Sequence, residues 1–163
     1  MEDLLFNLIE YIANNMIDLQ VIDEDYGQLE MLDQENQDTY PLTFPAVLID
    51  ASSVEWSNVG QLNQKGTATV RVRLVLDCYD DTHAGSGTTE LIKRRMKKVH
   101  QLHKLLQGYQ VEDNSKLVRL TSRYYTANHG IKVYELTYNC TVSEFVAEEL
   151  KSATVKPKIT AIR

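Results

Sequence analysis

Apolar residues recur at helical spacing near the start of the chain. Leu4, Leu5, Leu8, Ile9, Ile12 and Met16 share one side of a 3.6-residue repeat. This predicts an amphipathic helix over residues 2–16 that ends near Asn14 and Asn15. Glu2 and Asp3 fall in its first turn, where the helix dipole favours negative charge. Ile17, Leu19 and Val21 then alternate, enough for a short strand. The rest of residues 17–44 is polar and acidic and predicts a solvated loop or insertion. Pro41 and Pro45 bracket an extended passage. Residues 46–50 read as a strand, and Val54, Trp56 and Val59 as a further extended piece.

Gly60 to Gly66 is polar and turn-like, the signature of a hairpin loop. The clearest alternation follows over 67–79. Val70, Val72, Leu74, Leu76 and Cys78 point one way, and Thr69, Arg71, Arg73, Val75 and Asp77 the other. One face should therefore be core and the other polar. Residues 83–87 break the pattern with two glycines. Thr88 is placed as an N-cap, with Glu90 in the first turn after it. The stripe Leu91, Ile92, Met96, Val99, Leu102 and Leu106 predicts a helix that Gly108 stops. Two strands close the pattern at 117–127 and 131–143, joined by a hairpin turn at 128–130. The first puts Val118, Leu120, Ser122 and Tyr124 on one face. The second does the same with Tyr134, Leu136, Tyr138, Cys140 and Val142. The expected class is α+β: an antiparallel sheet of four or more strands with helices packed on one face. Residues 1–145 form a single domain, and residues 146–163 a polar arm whose alternation Pro157 confines to a sheet edge.

Composition adds one strong feature. The 163 residues carry 23 Asp/Glu and 17 Lys/Arg, for a net charge of -6. The first cation is Lys65, so residues 1–64 hold 13 of the acids and no Lys or Arg. Residues 65–163 hold the other 10 acids and all 17 cations. An acidic third beside a basic remainder points to charged partners or self-association. No apolar run approaches the roughly 20 residues of a membrane helix. The acidic start lacks the basic flank of a secretory or mitochondrial leader, so the chain is expected to work in the cytoplasm where it is made. Cys78 and Cys140 lie among apolar strand residues and read as small buried hydrophobes.

Signals for catalysis are thin. His100 and His103 lie three apart on the basic helix, but a zinc site needs a third ligand that no nearby residue supplies. His83 with Asp80 and Asp81 is a loose loop cluster. Gly85 to Thr89 precedes a helix, yet lacks the Gly-Lys-Ser/Thr of a phosphate loop. Asp50, Asp77, Asp80 and Asp81 sit at strand ends, as ordinary loop aspartates do. We expect no enzyme, no metal and no cofactor. Lys93, Arg94, Arg95, Lys97, Lys98 and Lys104 could track phosphates, with Tyr124, Tyr125, Tyr134 and Tyr138 stacking bases. An acidic chain argues against nucleic acid, and tyrosines at alternate strand positions favour the core.

The order of these elements is a helix, the extended passage from Tyr40 to Asp50, the long strand from Thr67 to Asp77, the helix from Leu91 to Leu106, and two long strands through Val142. In this order and strand texture, residues 1–145 resemble the small tail terminator, or tail completion, proteins of long-tailed bacteriophages and prophages. The resemblance implies an α+β fold and a ring, usually a hexamer, at the end of the tail tube that meets the head. It implies as partners further copies of the chain, the tail-tube protein and the head connector, with a location in the virion tail or neck. A neck or connector-completion protein is the alternative within the same particle, and a nucleic-acid-binding module using residues 93–104 the alternative of another class. Residues 17–44 and 146–163 depart from the family pattern.

A ring joins one patch to a different patch on the next copy, and opposite charges on one chain suit such a joint. The expected basic half is Arg71 and Arg73 on an outward strand face, with Lys93, Arg94, Lys97 and Lys98. The expected acidic half is Asp23, Glu24, Asp25, Glu30 and Asp33.

Overall fold

A computed structural model describes residues 2–32, 42–60, 63–79, 81–112, 115–127 and 130–145. The elements in order are α1 (Glu2–Asn15), β1 (Val21–Glu24), α2 (Gln28–Met31), β2 (Ala46–Gly60), β3 (Asn63–Leu76), α3 (Glu90–Leu106), β4 (Gln110–Glu112), β5 (Ser115–Lys116), β6 (Val118–Thr126) and β7 (Lys132–Phe145). Five strands form one sheet in the order β1-β2-β3-β7-β6, and β4 pairs with β5 apart from it.

The class is α+β, but the sheet is mixed. β1 runs parallel to β2, with Val21 opposite Ala46, while the other pairs are antiparallel. A parallel pair needs a long crossover, and residues 25–32 and 42–45 are its described parts. Only the first part of the acidic stretch can be compared with the solvated loop expected of it, since residues 33–41 lie outside the described residues. Within residues 17–32 it forms β1 and α2, and Leu29 is buried.

Strand alternation fixes two apolar layers. Val70, Val72 and Leu74 of β3 and Leu136 and Tyr138 of β7 join one cluster with Leu8 and Ile12 of α1 and Leu102 and Leu106 of α3. Their neighbours point the opposite way. Ala46, Leu48, Val75 and Val133 form a second cluster with Leu29 of α2 and Leu42. The far side of β3 is therefore covered near Arg73 and Val75, where period-two reading expects a polar face.

Local departures have local causes. Ile17 is exposed and the strand begins later, at Val21. β2 runs to Gly60 and β3 already begins at Asn63, so Gly66, expected at the end of a turn, lies inside β3. The Thr88 hydroxyl donates to the carbonyl of Asp81, and Thr89 stands at the start of α3 without a side-chain cap. α3 ends as expected: Gln107 leaves the helix and Gly108 follows at φ +83°. The β4–β5 hairpin fills residues between α3 and β6 for which no strand is expected. β6 is an edge strand with a register shift between Arg119 and Thr121, which breaks its alternation, and nearly all of it, Val118, Leu120 and Tyr124 included, is exposed. Residues 146–163, the expected arm, lie outside the described residues.

Candidate assembly interface

Arg73 does not face solvent. Its side chain is 4% exposed, and it pairs with Asp25 (2% exposed) and Glu30. Both carboxylates come from the crossover, so the crossover is anchored onto β3 by charge as well as by Leu29. Arg71, two residues earlier on the same face, binds Asp50 at 2.8 Å and lies 3.9 Å from Asp25. Burial works against the Arg73 guanidinium, but hydrogen bonds to Glu30 and Asp25 overcome it and raise its pKa. The Arg73 hydrogen bond in turn holds the Glu30 carboxyl below its ordinary value. The outward position expected for Arg73 is thus corrected, because the crossover covers this part of the sheet. Asp25 and Glu30 meet cations of their own chain. Asp23 and Glu24 lie on β1, and Asp33 is outside the described residues.

α3 holds the remaining cations. Lys93 pairs with Glu90 at 2.8 Å one turn away, and Lys98 pairs with Asp18. Arg95 is half-buried, and it hydrogen-bonds Tyr134. Arg94, Lys97 and Lys104 are exposed. Along the outward side of α3, Ile92, Met96 and Leu105 lie among Lys93, Lys97 and Lys104. That side is both apolar and cationic, which a purely hydrated face is not.

The chemistry singled out in sequence takes other forms. Among the described residues no three His, Cys, Asp or Glu side chains gather as a metal site. His103 Nδ1 lies 3.1 Å from the Tyr138 hydroxyl, and burial, then Arg119 and His100, lower its pKa. His83 Nδ1 contacts Asp81 at 2.5 Å on an exposed loop, and Asp80 is outside the described residues. Ser86 and Thr88 bond one another at 3.0 Å within the glycine loop. Tyr134 and Tyr138 are buried and cannot stack bases, whereas Tyr124 is exposed and Tyr125 lies beneath Arg123. Burial pushes the Cys140 thiol up to about 11, away from nucleophilic use. No helix among the described residues is long and apolar enough to cross a membrane.

A second concave surface lies at the end of the β2–β3 hairpin. Trp56, Tyr109, Glu112 and Val142 line a cleft of about 420 Å³ beside the first turns of α1. Its aromatic component was hard to foresee, because Trp56 sits in a stretch with no clear period. An isolated glycine in a strand, Gly66, is the available signal, since it marks close approach of a neighbour.

No protein-family model matches the chain, and no curated protein matches it. Among solved structures, it is similar to a chain described as "Virion of native gene transfer agent (GTA) particle". The TM-score is 0.43 with 9% identity, covering 86% of this chain and 92% of that one. A score of that size is too low to establish a shared fold.

Proposed function

We propose that this chain is a non-enzymatic structural subunit of a phage or prophage particle. It assembles as a ring, of the size usual for tail terminators, at the end of the tail tube. There it halts tube growth and offers a docking face to the head connector. The outward face of α3 carries the reading. Ile92 is exposed among lysines, with Met96 and Leu105 half-buried at the margins of the same face, on a helix whose Val99, Leu102 and Leu106 are buried in the core. Apolar surface rimmed by charge marks an interaction site more often than a hydrated one. The resemblance of the sequence's element order to that of tail terminators adds to it.

Light scattering coupled to size-exclusion chromatography tests the ring. At low salt the mass should be a closed multiple of 18.7 kDa, and it should fall as salt screens the contact. The same α3 cations favour nucleic acid as a reading of another class. Binding that weakens linearly on a log–log salt plot would support that alternative, and no binding at low salt would remove it.

A further inference from the structure

With Asp25 and Glu30 held by Arg73 inside the chain, a joint based on charge needs an acidic half elsewhere. The Trp56 cleft supplies one. Leu4, Trp56 and Val142 give it an apolar floor, and Asp3, Glu112 and Glu144 an acidic rim. No Lys or Arg is among its described lining residues.

The cleft is built rather than incidental. Trp56 pairs with Gly66 across the β2–β3 ladder, and Gly66 pairs with Val142 on β7. A Cβ at residue 66 would stand 2.4 Å from Val54 Cγ1 and 2.8 Å from Trp56 Cε3. The missing side chain lets the indole lie on β3 while staying 41% exposed. Glu112 is set by the Ser143 N–H, which donates to its Oε1 at 3.0 Å. The buried Ser115 hydroxyl donates to the Thr141 carbonyl at 2.5 Å and accepts from the Thr141 N–H at 2.9 Å, fixing the β4–β5 hairpin beside the cleft.

An indole face attracts cations, and carboxylates at the rim add to that attraction. The methylene stem of Lys or Arg would cover the apolar floor. We propose that this cleft receives a Lys or Arg side chain from the outward face of α3 on a second copy. Arg94, Lys97 and Lys104 are exposed donors there. The inference rests on the ring reading above and assigns its acidic half. Cleft meets helix, so each copy uses both surfaces and the contacts can close on themselves. Cleft against cleft would bring carboxylates together, which disfavours a simple pair of copies.

Two full-length variants test it. In the first, Asp3→Lys with Glu144→Lys reverses the cleft rim, and in the second, Lys97→Glu with Lys104→Glu reverses the helix. Light scattering should show each alone needing at least about tenfold higher concentration to half-assemble. Mixed in equal amounts, they should assemble again, because reversed cleft then meets reversed helix. Trp56 is the single tryptophan, so its emission should shift to the blue on assembly and in the mixture. Circular dichroism checks folding, and Glu144→Gln repeats the test in milder form at an exposed position. Wild-type assembly with unaffected variants, or variants that stay apart when mixed, overturns the cleft contact and leaves the ring standing. A wild-type chain that is monomeric throughout overturns both.

Discussion

Arg73 shows what period-two reading can and cannot supply. Its side of β3 is legible, because alternation is geometric, but what covers that side depends on a crossover whose path no local pattern encodes. A buried pair is weak support for stability as a whole, since both charges lose water, yet breaking it leaves one charge uncompensated. Asp25→Ala should therefore cost about 3–5 kcal/mol, read as a lower urea midpoint. An unchanged midpoint would mean that the pair is hydrated. Glu30 adds a pH dependence with a defined sign. Its folded pKa lies below the ordinary 4.5, so its contribution is complete above that value and fades as pH falls through the lowered one. Glu30→Gln should flatten the acid limb of the stability curve, and an unaltered limb would contradict the pairing. Gly66→Ala should lower stability by about 1–3 kcal/mol through overpacking and shift Trp56 emission. A silent substitution would show that the indole does not lie on β3.

At the level of elements, legibility follows the strength of the repeat. α1, α3, β3 and β7 carry long apolar periods and stand close to where those periods place them. β1, α2 and the β4–β5 hairpin are short, and their formation depends on tertiary partners: β2 for β1, and Ser115 with Thr141 for the hairpin. The shift in β6 is equally invisible, because one extra residue leaves the composition of a strand unchanged. The two faces of α3 should separate in experiment. Leu102 is fully buried, so Leu102→Ala should cost about 2–5 kcal/mol. Ile92 is exposed on the outward side of α3, and Ile92→Ala should change subunit stability by less than about 0.5 kcal/mol while weakening assembly. Thermal unfolding of a dilute sample together with light scattering of a concentrated one separates the two effects. If Ile92→Ala leaves assembly untouched, the outward face of α3 is a hydrated surface.

For the whole molecule, the division of charge at Lys65 survives in altered form. Part of it is internal: Arg71, Arg73 and Lys98 bind acids of the first third of the same chain, which ties the crossover and the α1–β1 region to the sheet and α3. What stays outward is narrower, a cationic and apolar face of α3 and an acidic cleft around Trp56. The first was legible in sequence from the basic run. The second was not, because Asp3, Glu112 and Glu144 are far apart along the chain and only the sheet brings them together. The most direct test is the mass of the full-length chain by light scattering across concentration and ionic strength. A discrete closed oligomer at low salt that dissociates as salt rises is the predicted result. A monomer under every condition would contradict it.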